Sequence, residues 1–415
     1  MRLSNFMRLR IAILIISLLL VSTGSFVSCN FTLEGKVTNA NGDPIEGVEI
    51  KVAEGLTGIT NASGDYSISG IPYNNYAVIA SHPRYGTKVR NIDTSYFGNG
   101  FSCENIDGDF NFGAVKNWES IYTTAGESGL HSVCFIDSNN GWAVGFINGE
   151  SHSEPYIIHT IDGGESWVVQ NCSAYYWLEC VYFIDNNTGW ASGEDGDIFK
   201  TSNEGVGWNA QYNSSIYDIH GIYFVNTSTG WACGSGSSIL HTSNGGVNWD
   251  YQNIGDYSRL YSVYFINVST GWACGSSGTI LHTSNSGENW NEQNSGTSGG
   301  LNSIYFIDGN TGWACDSNGK ILHTSNGGEA WNEQVSGTSN SLTSICFTDS
   351  NTGWAVGYSG TILHTLDGGE SWNSQEDGKT YGLRSVCFID ANTGWAVGSM
   401  YSDSGYHGII LKYYP

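Results

Sequence analysis

The sequence predicts an all-β protein, in which a small β-sandwich is followed by a seven-bladed β-propeller with Asp-box turns. Three observations carry this prediction. The Gly-Trp dipeptide recurs in seven repeat units, and the last six of these tryptophans are spaced by 41 residues each. Each unit contains four strand-like segments, as one propeller blade requires. In six units a Thr-x-Asp/Asn-x-Gly turn precedes a second tryptophan.

The first 28 residues have the composition of an export signal. Three arginines precede an apolar run over residues 11–21, which only Ser17 interrupts, and no acidic residue occurs there. Such a run is short for a membrane span. The string FVSC, which ends at Cys29, resembles a bacterial lipobox. We therefore predict lipidation of Cys29, with ordinary cleavage nearby as the alternative, and an outer-membrane, cell-surface or periplasmic lipoprotein or a secreted protein.

Residues 29–113 are predicted to form the small β-sandwich, because short alternating strands are separated by turns rich in Gly, Asn and Pro. The string GKVTNANGDPIEGVEIKV resembles the carboxypeptidase regulatory-like (transthyretin-like) domain, a resemblance that implies a spacer or adhesion module without peptidase chemistry. The matching positions are Gly35, Val37, Gly42, Pro44, Gly47, Val48, Gly64, Tyr66 and Pro72. Asp107 and Asp109 are too few carboxylates to argue a calcium site, and a solvated loop is the better interpretation.

Residues 114–415 are predicted to form the propeller. The seven Gly-Trp tryptophans are Trp142, Trp190, Trp231, Trp272, Trp313, Trp354 and Trp395. In the turn before the second tryptophan, the Asp or Asn side chain bonds the turn backbone and Gly supplies the positive φ. The tryptophan then buries a large face between blades. The turn is identified as the Asp-box (BNR) repeat, which is structural in the families that carry it.

The seventh unit ends after its third strand. The simplest completion takes the fourth strand from residues 115–122, in which Trp118 stands at the position of a box tryptophan. The ring would then close between the first and last segments of the propeller and leave no exposed sheet edge at the seam.

Histidines that recur at one position of the repeat suggest a metal site, but their place in the blade argues against one. Five third strands carry an equivalent histidine, namely His159, His241, His282, His323 and His364. These strands lie two strand spacings of ~4.8 Å outside the innermost strand of each blade. Histidines of different blades are therefore too far apart to share a metal ion through ~2 Å bonds. Lys200 and Lys412 take the same position, so we expect hydrogen-bonded structural histidines and no metal.

Ten cysteines in an exported chain suggest disulfides. Six of them replace Val or Tyr within repeat strands and are expected to behave as buried hydrophobes. Cys172 and Cys180 stand outside that pattern, in the linker into blade two, and a local disulfide between them is predicted.

Charge excludes several classes of function. After residue 28 the chain has 12 basic and 39 acidic residues, a balance that repels phosphate backbones and anionic lipid headgroups. A nucleic-acid binder is therefore excluded, and contact with a membrane is expected only through the lipid anchor. Arg259 and Arg384 are the two arginines of the propeller, too few for sialidase chemistry, which needs three to grip the substrate carboxylate.

The candidate site lies where the repeat breaks. From the Gly-Trp tryptophan to the end of the third strand, blades one and seven have 18 residues where the others have 11. Both extensions fall in the loops between second and third strands, on one face, and are neighbours across the closure. Exposed aromatics on loops of a rigid scaffold tend to be recognition anchors. The candidate binding residues are Trp177, Tyr175, Tyr176, Tyr156, Tyr401, Tyr406, His152, His407, Glu194 and Asp195.

The repeat string YFIDxNTGWACGxxGxILHTSNGGxxWNEQ looks like the photosystem II assembly and stability factor family of seven-bladed Asp-box propellers. Members acting in assembly are thought to hold a client with an arginine-rich patch, which this propeller lacks. We therefore expect a non-enzymatic, monomeric surface protein that binds a protein or glycan partner without a cofactor, although acids of the site could host calcium. The alternatives are a glycoside hydrolase or lyase, with Glu194 and Asp195 as mild candidates, and an assembly-factor-like chaperone.

Overall fold

The structure is a computed structural model that describes residues 9–12, 30–37, 44, 46–52, 56–72, 75–82, 86–93, 117–124, 126–148, 153–212, 217–236, 238–255, 259–375, 379–403 and 405–414. The chain divides into two compact units, Met1–Asn117 and Trp118–Pro415. The first unit thus ends four residues beyond the predicted boundary at residue 113. No helix in the described ranges is long and apolar enough to cross a membrane.

The first unit contains two antiparallel sheets, in agreement with the predicted β-sandwich. One sheet has the order β1 (Leu9–Ala12), β2 (Asn30–Lys36), β5 (Asp65–Pro72), and the other has the order β4 (Leu56–Ile59), β3 (Glu49–Val52), β6 (Asn75–His82), β7 (Gly86–Asp93). Leu33 in β2, Ile50 in β3 and Val48 directly before β3 are fully buried, as expected when each strand has one face toward a core.

The second unit consists of seven four-stranded antiparallel sheets, which confirms the seven-bladed propeller. In each of the first six blades the four strands follow one another along the chain. The strands are β8 (Trp118–Thr123), β9 (Ser128–Phe135), β10 (Gly141–Asn148), β11 (Ser153–Thr160), β12 (Val168–Gln170), β13 (Leu178–Phe183), β14 (Gly189–Gly193), β15 (Ile198–Thr201), β16 (Asn209–Tyr212), β17 (Ile219–Phe224), β18 (Gly230–Gly234), β19 (Ile239–Thr242), β20 (Asp250–Gln252), β21 (Leu260–Phe265), β22 (Gly271–Gly275), β23 (Ile280–Thr283), β24 (Asn291–Gln293), β25 (Leu301–Phe306), β26 (Gly312–Asp316), β27 (Ile321–Thr324), β28 (Asn332–Gln334), β29 (Leu342–Phe347), β30 (Gly353–Gly357), β31 (Ile362–Thr365), β32 (Asn373–Ser374), β33 (Tyr381–Asp390), β34 (Thr393–Ser402) and β35 (Gly405–Tyr413).

The ring closes as the repeat count predicts. Blade seven has the order β33-β34-β35-β8, so the first strand of the propeller is the outer strand of its last blade. Tyr413 pairs with Trp118 and Ile409 with Thr123. Trp118 also takes the role of a box tryptophan, because its ring meets Phe388 edge-on at 5.6 Å.

The Gly-Trp dipeptide is explained by packing between blades. In blade five, the ring of Phe306 lies against its own strand partner Gly312, where a Cβ atom would come within 2.5 Å of the ring. The other face of Phe306 stacks on Trp272 of blade four, with centroids 3.6 Å apart. Trp331 of the box meets the same ring edge-on. Equivalent stacks recur at all seven junctions.

The repeated histidines pack against these tryptophans. The predicted hydrogen bonding is present at His364, whose Nδ1 lies 3.1 Å from Gln375 Nε2. The His159 and Trp142 rings are nearly parallel, with centroids 4.5 Å apart, and Nε2 of His159, His241 and His364 has no hydrogen-bond partner. Burial lowers the pKa of these imidazoles. Lys200 replaces the imidazole with an ammonium group above Trp190. The side chains found at this position, histidine or lysine, are therefore ones that pack against an indole ring.

The predicted disulfide does not form, because its two cysteines lie in different hydrophobic clusters. Cys172 packs against the cluster between blades one and two, whereas Cys180 lies within β13 and packs against the cluster between blades two and three. Both are free thiols, and burial raises the pKa of each.

Candidate functional site

The extensions in blades one and seven are longer strands rather than loops. In blades two to six the second strands have five residues and the third strands four, whereas β10 and β11 have eight each and β34 and β35 have ten and nine. The additional residues continue the same antiparallel pairing. Both extensions are therefore paired strands, called the first and second hairpins below, on the face predicted to carry the site.

The two hairpins meet near their tips, where Glu127 contacts both. Glu127 Oε2 accepts a hydrogen bond from Asn148 Nδ2 of the first hairpin at 3.0 Å. The same carboxylate lies against Gly405 of the second hairpin, where a Cβ atom would come within 2.7 Å of Oε1. The hydroxyls of Tyr122 and Tyr156 are 3.1 Å apart. The predicted adjacency of the two extensions is thus present.

The predicted aromatic residues differ in exposure. Tyr401 and Tyr406 form a cross-strand pair on the second hairpin, with 70% and 57% of their surface exposed and centroids 5.2 Å apart. Tyr175 is 61% exposed and meets Tyr176 edge-on. Tyr156, by contrast, packs against the hydrophobic cluster between blades seven and one, and its pKa is raised by burial and by Tyr122. Tyr156 is therefore part of the seam rather than an exposed anchor.

Trp177 is half-buried and has a fixed orientation. Its Nε1 donates to Glu179 Oε1 at 3.1 Å. Its ring contacts Phe146 of the first hairpin and His131 of the innermost strand, at centroid distances of 5.9 and 6.4 Å. Trp177 therefore connects the hairpin to the linker that enters blade two.

The other oxygen of Glu179 lies beside His131. Glu179 Oε2 is 3.4 Å from His131 Nδ1, which also lies 3.1 Å from the carbonyl oxygen of Leu178. Burial alone would raise the pKa of Glu179, but the hydrogen bond and charge of His131, with the charge of Arg384, lower this pKa to about 2. Glu179 is therefore a fixed, ionised carboxylate.

Glu194 and Asp195 lie in the turn that follows β14 and share this region. The backbone N–H of Glu194 donates to the carbonyl oxygen of Trp177 at 3.3 Å, and that of Asp195 to Asp218 Oδ1 at 3.4 Å. Burial raises the pKa of Glu194 to about 7, with contributions from Asp218, Glu179 and Asp195 in that order. The site thus holds two carboxyl groups whose pKa values are shifted in opposite directions. The pKa is lowered for Glu179 and raised for Glu194.

The sequence interpretation missed the innermost strands. The second residue of each innermost strand in the usual register is polar or aromatic, and it has six identities in seven blades: His131, Glu179, His220, Tyr261, Asn302, Thr343 and Arg384. Asn302 and Thr343 bond the carbonyl oxygens of Leu342 and Leu383 on the next blade. The sequence signal for this position is a variable residue directly after a Leu or Ile that recurs in all seven blades.

The remaining predicted residues are placed as follows. His407 is half-buried, with Nδ1 3.3 Å from the carbonyl oxygen of Thr124. His152 and Cys29 lie outside the described residues, as do Asp107 and Asp109. Within the described part of the chain, no three His, Cys, Asp or Glu side chains are placed to hold a metal ion.

Two family models match the chain. The model described as photosynthesis system II assembly factor YCF48 matches in overlapping segments, residues 210–345, 293–372 and 334–401. The carboxypeptidase regulatory-like domain matches residues 32–96. The two resemblances drawn from the sequence are thereby confirmed. No curated protein matches the chain significantly.

Solved structures of similar fold include two YCF48 propellers. "YCF48 bound to D1 peptide" matches with a TM-score of 0.58 at 20% identity, over 72% of this chain and 97% of that one. YCF48 from Cyanidioschyzon merolae matches with a TM-score of 0.58 at 21% identity, over 72% and 98%. The WD40 propeller domain of Doa1 matches with a TM-score of 0.56 at 10% identity, over 71% and 96%. At these identities the likeness concerns the fold.

Proposed function

Because the propeller carries the repeat of the YCF48 assembly factors, we propose that this protein is a non-enzymatic, exported binding protein that holds a segment of a protein partner. The partner face comprises Tyr401, Tyr406, Glu127, Phe146, Trp177, Glu179 and Glu194, over blades seven, one and two. One observation carries the proposal: Trp177 is oriented by Glu179 and packs against Phe146, so the linker and the first hairpin form one continuous surface. The similar YCF48 propeller that was solved with a bound D1 peptide supports this class of ligand.

Charge favours a basic partner segment. The propeller has 6 Lys and Arg against 29 Asp and Glu, so a basic segment would be attracted and an acidic one repelled. Glu179 is ionised beside the half-buried Trp177 ring, an arrangement that suits a lysine or arginine side chain through an ion pair and a cation–π contact. Glu194 lies at the same place, where burial first and then the charges of Asp218, Glu179 and Asp195 raise its pKa.

Variants of the partner face test this proposal. A partner captured by affinity purification should bind the Tyr401→Ala/Tyr406→Ala and Trp177→Ala variants at least tenfold more weakly. The matched control replaces Val206 and Leu366 with alanine, because both side chains are exposed in box turns on the opposite face. The proposed face would be refuted if the control variant lost partner binding to the same extent as the test variants. It would also be refuted if both test variants bound the partner as the wild type does.

A chaperone-like role in membrane-protein assembly is the second candidate, favoured by the match to the assembly-factor family. The client would be bound on the same face without the arginine-rich patch associated with that role. Co-purification of a membrane-protein client, lost in the Trp177→Ala variant, distinguishes this role from binding of a soluble or surface partner.

Glycoside hydrolysis is a third candidate because the pKa values of Glu179 and Glu194 are driven apart, to about 2 and about 7. A protonated acid beside an ionised carboxylate is the pairing that glycosidases use. A hydrolysis screen over polysaccharides tests it, with Glu194→Gln as the variant that must lose any activity found.

We also propose that the protein is exported and anchored through a lipid on Cys29. The expected result is a membrane-associated protein that becomes soluble in the Cys29→Ala variant, with a matching loss of acyl mass. Equal fractionation of both proteins would exclude the anchor.

A further inference from the structure

Glutamine side chains link several neighbouring blades at the outer rim. In blade three, Gln252 Oε1 accepts a hydrogen bond from Nε1 of Trp290, the box tryptophan of blade four, at 3.1 Å, and Gln252 Nε2 donates to the carbonyl oxygen of Ser286 at 2.8 Å. The same pair of bonds is made by Gln170, Gln293 and Gln334. At these junctions the carboxamide is therefore held by groups that do not titrate.

The junction at which the ring closes differs, because one partner of the glutamine is an imidazole. Gln375 Oε1 of blade six accepts from Nε1 of Trp118, which stands at the box position of blade seven, at 3.0 Å. Blade seven takes its third and outer strands from opposite ends of the propeller and has no box turn to offer a carbonyl oxygen. Gln375 Nε2 lies instead 3.1 Å from Nδ1 of His364 in its own blade.

The hydrogen-bonding capacity of these three side chains fixes the direction of both bonds. An indole N–H can only donate, so the carboxamide turns its oxygen to Trp118 and its NH₂ group to His364. Nδ1 of His364 must then accept, which requires a neutral imidazole with its proton on Nε2. That Nε2 is buried and has no hydrogen-bond partner. The link between blade six and β8 is therefore formed with neutral His364.

Protonation of His364 is incompatible with this arrangement. An imidazolium has a proton on both nitrogens, so its Nδ1–H would face the NH₂ group of Gln375. Rotation of the carboxamide gives Nδ1–H an oxygen acceptor in a charge-assisted bond, which is roughly twice as strong as a neutral one. The same rotation turns the NH₂ group to Trp118, which is 2% exposed and loses its acceptor. The carboxamide thus has two orientations, and the charge of the imidazole selects between them.

The groups around His364 offer no counter-charge. Its ring stacks on Trp354 with centroids 4.7 Å apart, and the titratable side chain in ring contact with it is Tyr413 of β35, at 6.4 Å. Glu119 and Lys412, the charged residues of the paired segments of β8 and β35, are Cα partners of each other. Among the described residues no charged side chain shifts the pKa of His364, which burial alone lowers.

We propose that the closure of the propeller is a pH-sensitive latch, in which protonation of His364 rotates the Gln375 carboxamide away from Trp118 and loosens β8 from β35. The stabilisation that the link adds is fully present above the ordinary histidine pKa of 6.5 and is lost as the pH falls through the lowered pKa of the folded protein. The loosening begins at Trp118, the first residue of β8. The glutamine links that end on carbonyl oxygens are unaffected, and the latch is independent of the partner face.

Nitrogen-15 NMR of the full chain, labelled in tryptophan, tests the latch at its donor. Between about pH 7.5 and about pH 5, on either side of the ordinary histidine pKa, the Trp118 indole proton should shift upfield because it loses its acceptor. The Trp290 indole is the internal control, since its acceptor Gln252 is held by a carbonyl oxygen. A Trp118 signal that moves no further than that of Trp290 would overturn the proposal.

Two variants assign the response to His364. His364→Asn retains an oxygen that can accept from Gln375 Nε2 but binds no proton, so the Trp118 signal should become independent of pH. His323→Asn is the matched control in blade five, where Gln334 donates to the carbonyl oxygen of Gly368, and its Trp118 signal should respond as in the wild type. The proposal fails if the two variants respond alike.

Hydrogen exchange of the same proteins measures whether β8 loosens. In the wild type and in His323→Asn, the amides of β8 should lose about fivefold in protection at the lower pH, the equivalent of one neutral hydrogen bond, whereas His364→Asn should show no such loss. If His364→Asn does not fold, Gln375→Leu takes its place, because it removes the link at every pH. The Trp118 indole signal of that variant should lie near its acid position already at about pH 7.5, and an unshifted signal would refute the link.

Discussion

Trp354 stacks on Phe388 with centroids 3.5 Å apart, yet its indole Nε1 has no hydrogen-bond partner. The other six Gly-Trp tryptophans donate this N–H to a carbonyl oxygen in the box turn of the next blade. The blade after Trp354 is blade seven, whose third and outer strands come from opposite ends of the propeller sequence. Ring closure therefore removes the turn that would have supplied the acceptor.

This difference predicts unequal effects of one substitution at two equivalent sites. Trp313→Phe removes the bond to the carbonyl oxygen of Gly368 at 3.0 Å, whereas Trp354→Phe removes a donor that has no partner. Trp313→Phe should therefore lower the free energy of unfolding by about 1 kcal/mol more than Trp354→Phe. Denaturant unfolding of both variants measures the difference, and equal losses would contradict the assigned bond.

Gly312 should not tolerate a side chain. Gly312→Ala places a methyl group against the Phe306 ring, which is stacked on Trp272 and has no room to move. We expect a loss of about 1–3 kcal/mol, the usual cost of overpacking. Gly309→Ala is the control, because its methyl group would meet only the Ile266 side chain at an ordinary 3.5 Å. Thermal unfolding should rank Gly309→Ala close to the wild type.

Removing the side-chain acceptor of a box turn should destabilise the protein, whereas replacing that acceptor with a charged one should not. Asn326 Oδ1 accepts the backbone N–H of Ala330 at 3.0 Å, as Asp162 and Asp367 do in their own boxes. Asn326→Ala should therefore cost about 1 kcal/mol, the typical effect of losing a side-chain cap, while Asn326→Asp should be nearly neutral. A loss as large in Asn326→Asp as in Asn326→Ala would show that the bond is unimportant.

Glu194 should make stability depend on pH near neutrality. Its pKa is about 7 in the folded protein against an ordinary 4.5, so the folded state binds this proton more tightly than the unfolded chain. The resulting stabilisation is fully present below pH 4.5 and is lost as the pH rises through about 7. The free energy of unfolding of Glu194→Gln relative to wild type should therefore rise between these values and then level off. A pH-independent difference would exclude the shift.

The repeat spacing was sufficient to predict the fold, because each Gly-Trp and box tryptophan has the same local role in every blade. Closure through Trp118 followed from the same count. The candidate site was predicted less completely. The two extensions are adjacent as predicted, but Tyr156 packs into the junction between blades seven and one instead of being exposed. His131 and Glu179 were missed, because their partners come from neighbouring blades and no single repeat shows the network.

Pairing of β8 with β35 also constrains how the propeller is made. Trp118 and Tyr413, which pair at this seam, lie at opposite ends of the propeller sequence. During synthesis, blades one to six can form in order from local segments, but β8 has no sheet to join until β35 leaves the ribosome. The unpaired β8 must therefore be kept from aggregating throughout elongation, and completion of the last blade is the folding step with the highest contact order.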